Sequence, residues 1–90
     1  MTDNQFIQLC KNKVADYVDK HLDKSDKVPY YNVYIVWYCK TLQNWKALAS
    51  TTLVDGMYYE LTLNGDKQEL YLDAYKKFEN KCIELESKDE

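Results

Sequence analysis

The chain contains no arginine; all 12 of its basic residues are lysine. Arginine offers the planar fork that grips guanine edges and phosphates in two places at once, and lysine replaces it only as a point charge. Together with a formal net charge of −3, that absence argues against sequence-specific DNA binding. Glycine (2 residues) and proline (1 residue) are scarce, so connections should be tight and linkers few. Both glycines, Gly56 and Gly65, fall in turns, which leaves no glycine-rich cradle for a phosphate. No apolar run approaches the length needed to span a bilayer. The N-terminal MTDNQFIQLCKNK lacks the basic start and apolar block of a secretory signal, so a cytoplasmic location is expected.

Chemistry-bearing residues are equally thin. One histidine and three scattered cysteines do not compose a metal-ligand set. Cys10, Cys39 and Cys82 are odd in number, have no Cys-x-x-Cys spacing and fall in three different elements, as expected of free thiols in a reducing compartment. Each occupies an apolar position of its expected element, so core packing is the simplest reading. His21 lies near the end of a helical stripe and reads as a partly buried helix-end residue favoured by the helix dipole. Pairing with Cys39 or Cys82 is geometrically open but not required by spacing. Glu60 is an outward charge in an alternating strand. The sequence therefore shows no catalytic residue, no cofactor site and no metal site, and it points away from an enzyme.

What the chain does have is apolar and aromatic. Ninety residues, 46% hydrophobic and 14% aromatic, suffice for one domain with one core. Charge is uneven along it. Residues 1–27 hold five Lys and five Asp, residues 28–65 two of each sign, and residues 66–90 five Lys against eight acids. The last third thus carries the whole negative balance.

Thr2 to Leu22 reads as an amphipathic helix. Thr2 and Gln5 fit a capping box, and Phe6, Cys10, Val14, Tyr17 and His21 form a stripe widened by Ile7, Val18 and Leu22. Asp23 to Asn32 is a loop with the only proline, closed by Tyr30 and Tyr31, which serve either as a lid over the core edge or as contact residues. Val33 to Leu63 then organises the chain as three strands. Val33 to Thr41 has Val33, Ile35, Trp37 and Cys39 on one side and Tyr34, Val36 and Tyr38 on the other, which suits a central or doubly covered strand. Gln43-Asn44 turns into Trp45–Thr52. Asp55-Gly56 suggests a type I′ hairpin, and Met57 to Leu63 alternates, with Tyr58, Glu60 and Thr62 outward.

After Asn64-Gly65 two readings compete. In one, Asp66 caps a helix carrying Tyr71, Ala74, Tyr75, Phe78, Cys82 and Leu85. In the other, residues 64–67 form a hairpin turn, Gln68 to Leu72 a fourth strand, and a helix begins at Asp73. The five residues after Leu85 read as a polar, frayed tail. The expected fold is α+β: a three-strand antiparallel meander, or four strands, with N- and C-terminal helices packed on one face, in the order α-β-β-β-α.

Along VWYCKTLQNWKAL, STTLVDGMYYELT and NGDKQELYLDAYKKFEN, the chain resembles a family of small uncharacterised proteins of phages and prophages of low-GC Gram-positive bacteria. The resemblance covers roughly Val33 to Ile83. It implies a small accessory protein acting in the host cytoplasm and brings no catalytic or cofactor residues. Proteins of that class often bind and inhibit host machinery.

Two helices on one sheet face would leave the other face bare and unusually aromatic. The expected function is therefore protein binding through Tyr30, Tyr31, Tyr34, Tyr38 and Tyr58, with a host or phage protein, or a second copy, as partner. Single-stranded nucleic acid held by Trp37, Tyr38 and Lys40 is the alternative, weakened by the neutral sheet segment and acidic chain. A homodimer with its role elsewhere is the third reading.

Overall fold

A computed structural model describes residues 1–22 and 30–86. Most of the expected loop, including Pro29, and the end of the polar tail lie outside the described residues. One helix, α1 (Asp3–His21), precedes four strands: β1 (Val33–Thr41), β2 (Asn44–Thr51), β3 (Met57–Asn64) and β4 (Glu69–Lys76). The strands form one antiparallel sheet in the order β1-β2-β3-β4.

The start of α1 follows its sequence signal. The Gln5 amide donates to the Thr2 hydroxyl at 3.1 Å, and the Thr2 amide donates to the Gln5 side-chain oxygen at 2.8 Å. This satisfies two of the donors that a helix start leaves without intrahelical partners. Phe6, Cys10, Val14 and Val18 are the buried residues of α1. His21 is exposed rather than partly buried. Its ring stacks on Tyr17 at 4.1 Å and its Nδ1–H donates to the Tyr17 carbonyl at 2.8 Å.

The core lies between α1 and one face of the sheet. Phe6 stacks on Trp45 at 4.9 Å, and Tyr17 meets Tyr59 edge-on at 5.7 Å. Ala47 and Ala49 leave room for the helix, with Leu61 and Leu63 completing the layer.

The C-terminal helix is absent among the described residues. The chain instead makes a fourth strand, and residues 77–86 carry no regular structure. Tyr71 and Tyr75 are four apart, a spacing that puts two residues on one side of either a helix or a strand. Leu70 and Leu72 decide for the strand, because both pack against the core. The remaining apolar positions, Phe78, Cys82 and Leu85, have too short a segment to hold a helix without a surface to pack on.

The turns differ in detail from expectation. Leu42 and Gln43 link β1 to β2, with Leu42 at φ +58°. Residues 52–56 form a longer connection than a type I′ hairpin, since only Gly56 in it has positive φ, at +70°. The Asp55 carboxylate there accepts the Met57 amide at 3.0 Å. Asn64 closes the β3–β4 turn by accepting the amides of Asp66 and Lys67, each at 3.1 Å; Asp66 is a turn residue and caps no helix. Gly65 sits so close to the Gln43 carbonyl that a Cβ would overlap it.

β1 is an edge strand, not a central one. Its pairing with β2 shifts register between Ile35 and Trp37, leaving Val36 as an extra residue. A one-residue insertion reverses the side on which every later side chain falls. Trp37 and Cys39 therefore join Tyr34, while Tyr38 and Lys40 join Ile35 on the helix side.

Candidate functional site

The helix-free sheet face follows from the register. Its cross-strand rows are Tyr34–Ser50–Tyr58–Tyr75, Trp37–Leu48–Glu60–Asp73 and Cys39–Lys46–Thr62–Tyr71. Tyr34 (44%), Trp37 (45%), Tyr71 (57%) and Tyr75 (52%) are all substantially exposed. Leu48 and Tyr58 are half-buried between them. No second helix covers this face among the described residues.

Its charges are held in place and nearly balanced. Lys46 pairs with Glu60 at 3.0 Å, and the Tyr75 hydroxyl donates to Glu60 at 3.2 Å. The lysine, then the tyrosine, hold the Glu60 carboxyl below the usual range. The same contacts push Lys46 and Tyr75 upward, Glu60 being the main cause for both. The Lys77 ammonium lies 5.6 Å from the Tyr58 ring centroid, a cation–π contact that keeps a second positive charge beside the aromatics. Lys46 and Lys77 thus stand against Glu60 and Asp73, with Glu69 at the margin accepting from Tyr71 at 3.2 Å.

The five tyrosines expected to form one contact surface do not. Tyr34 and Tyr58 share the helix-free face. Tyr38 lies on the helix side and donates to Asp3 at 3.1 Å, which raises its pKa through the bond and charge of that carboxylate. Tyr31 is half-buried and donates to Asp19 at 2.7 Å, so it ties the chain to α1. Its phenol is pushed up to about 12, by burial first and then by Asp19. Tyr30 projects into solvent and donates to Asn32 at 3.3 Å. The alternative trio is divided too, because Lys40 extends over Trp45 at 5.3 Å on the helix side, away from Trp37. Sequence reading missed Leu48, Tyr71 and Tyr75 as surface neighbours: Tyr75 was expected on a helix in both readings, and Tyr71 on a helix in one and on a short fourth strand in the other.

The thiols divide likewise. Cys10 is buried, and burial pushes its pKa up to about 11. Cys39 and Cys82 are exposed rather than packed in the core. The Val36 insertion turns Cys39 outward, and the missing helix leaves Cys82 without a packing partner. Among the described residues, no group of three or more His, Cys, Asp or Glu side chains could hold a metal ion.

A cleft of about 770 Å³ opens between the start of α1 and the turns at that end of the sheet. Its carboxamides are already engaged. Gln8 donates to Asn12 at 2.9 Å, Gln43 to Asp66 at 2.7 Å and Gln68 to the Gly65 carbonyl at 2.6 Å, while Gln5 serves the capping box. These groups stitch the end of the fold together. The helix-free face is therefore the stronger candidate for recognition. No described helix is long and apolar enough to cross a membrane.

No curated protein matches the chain, and no solved structure does. The sequence model of a family described as "family of unknown function (DUF6275)" matches residues 7–85, which take in most of α1, the whole sheet and the residues that follow it. The chain belongs to that family of unknown function.

Proposed function

We propose that this is a small accessory protein of phage or prophage type that acts by binding protein through its helix-free sheet face. One observation carries the reading: Tyr34, Trp37, Tyr71 and Tyr75 are exposed together around Leu48 and Tyr58 on one rigid sheet. Aromatic side chains anchor protein interfaces because they bury much area at little entropic cost. The balanced charges supply register without an electrostatic field of one sign. That balance disfavours the nucleic-acid reading, in which a cationic surface must displace counterions.

The host cytoplasm, with host or phage proteins as targets, is the setting that the family resemblance suggests. Nothing in the face calls for catalysis, so modulation by occupancy is the mechanism proposed. The test is capture of bacterial proteins on the tagged chain, compared with Trp37→Asp and Tyr71→Asp variants of confirmed fold. Partners held by the wild type and released by both variants, with little response to salt, support the reading. Folded variants that retain the same partners would sink it.

A further inference from the structure

Among the described residues, two apolar features lack a partner. One is the helix-free face. The other is the segment that leaves β4: the Lys77 amide donates to the Gly56 carbonyl at 2.6 Å, and the chain then departs from the sheet. Phe78 is 97% exposed, Ile83 70% and Leu85 87%. The family match runs to residue 85 and includes this segment.

We propose that residues 78–85 are an exchange arm: in a two-fold dimer, each copy lays Phe78, Ile83 and Leu85 on the helix-free sheet face of the other. The proposal rests on that face being a protein-binding surface and names a second copy as its occupant.

Area argues for reciprocity. Four half-exposed rings at about 200 Å² each leave roughly 400 Å² per face. Three nearly bare apolar side chains add roughly 300 Å² per arm. One arm on one face would hide only about 700 Å², the scale of an incidental lattice contact. Two arms on two faces hide about 1,400 Å², inside the range of stable specific interfaces. Each copy supplies both halves, so the assembly closes at two and leaves no open end for a filament.

Charge permits a self-partner. The face sets Lys46 and Lys77 against Glu60, Asp73 and the marginal Glu69, and the arm carries Lys81 between Glu79 and Glu84. Each surface is within one charge of neutral and offers the other a lysine as well as carboxylates. The exposed thiols mark both halves, Cys39 on the face and Cys82 on the arm.

The experiment measures solution mass of the full chain across a dilution series, for wild type, Phe78→Asp/Leu85→Asp and Trp37→Asp. Circular dichroism confirms the fold of each. Wild type should be a dimer that dissociates on dilution, and both variants should show half its mass. Mixing Cys39→Ser chains with Cys82→Ser chains and adding a short bismaleimide should then link one arm to the partner's face. A wild type that is monomeric throughout overturns the proposal, as does a dimer that Phe78→Asp/Leu85→Asp leaves intact. If that surviving dimer is broken by Trp37→Asp, the face still binds protein and only the arm fails. If Trp37→Asp changes neither mass nor the capture of other proteins, the reading of the face fails as well.

Discussion

Tyr38 donates its hydroxyl proton to Asp3 at 3.1 Å, joining β1 to the first turn of α1. Its neighbour Trp37 faces the opposite way. Two consecutive residues thus divide between a contact with α1 and the exposed helix-free face. Tyr38→Phe should cost about 1 kcal/mol, the net worth of one such bond. Tyr38→Asp should cost more, because it sets a second carboxylate beside Asp3. At dilutions where the wild type is monomeric, Trp37→Asp should leave the thermal midpoint near that of wild type. Melting curves for the three variants check this, and a larger loss at Trp37 than at Tyr38 would reverse the assignment of sides.

Gly65 and Gly56 should respond differently to alanine. At Gly65 a Cβ would overlap the Gln43 carbonyl, so one of two turns must move. At Gly56 there is space, with the Lys77 carbonyl 3.7 Å from the added carbon, but φ is +70°. Gly56→Ala should cost about 1–2 kcal/mol for the left-handed backbone, and Gly65→Ala more. Urea midpoints decide it; equal or inverted costs would contradict the close approach of the two turns.

Phe6→Ala removes the largest fully buried side chain, stacked on Trp45. Such truncations cost about 3–5 kcal/mol, a large share of the stability of a domain this small. Equilibrium unfolding should show the denaturant midpoint lowered by a loss of that size. A loss below about 1 kcal/mol would mean that the stack is not the centre of the core.

The Lys46–Glu60 pair gives pH dependence with a fixed sign. Glu60 titrates below its ordinary value when folded. Its contribution is complete above the unfolded carboxyl range, near pH 4.3, and fades as pH falls through the folded value. Lys46 titrates above its ordinary value, so its contribution holds below about pH 10.4 and fades as pH rises past the folded value. Carbon-detected NMR titration should show Glu60 moving up in Lys46→Met. An unchanged Glu60 curve would detach the two.

Thiol labelling of the native chain should find two fast cysteines, Cys39 and Cys82, and one protected until unfolding, Cys10. Because burial raises Cys10 from 9.0 to about 11, the unfolded chain loses that proton first as pH rises. Stability should therefore decline between about pH 9 and pH 11, and Cys10→Ala should flatten that decline. Three equally fast thiols at neutral pH would refute the burial.

Much of the architecture was legible because local chemistry states it. The Thr2–Gln5 box, the bounds of β1 and the alternation of β3 each need only neighbouring residues to be read. The C-terminal helix was misread because Tyr71 and Tyr75 satisfy two periodicities at once, and only the pairing of Leu70 and Leu72 against the core separates them. The candidate surface was half legible. Tyr34 and Tyr58 were placed together, but no residue type announces the register shift that sends Tyr38 inward. Tyr31 binds α1 through Asp19, sixteen and twelve residues being the reach of its contacts to Ala15 and Asp19, and local patterning cannot see that far.

The extra residue at Val36 makes the outer surface of β1 a matter of parity. Deleting Val36 would leave Trp37 opposite Leu48 and both faces as they are, but a β1 that kept Val36 and lost its bulge would send Trp37 and Cys39 toward the helix and bring Tyr38 and Lys40 out. A ring and a thiol would be traded for a phenol and an ammonium, and the neutral aromatic surface would gain a cation. The bulge at Val36, rather than the length of β1, thus decides which side chains this edge strand shows on the helix-free face.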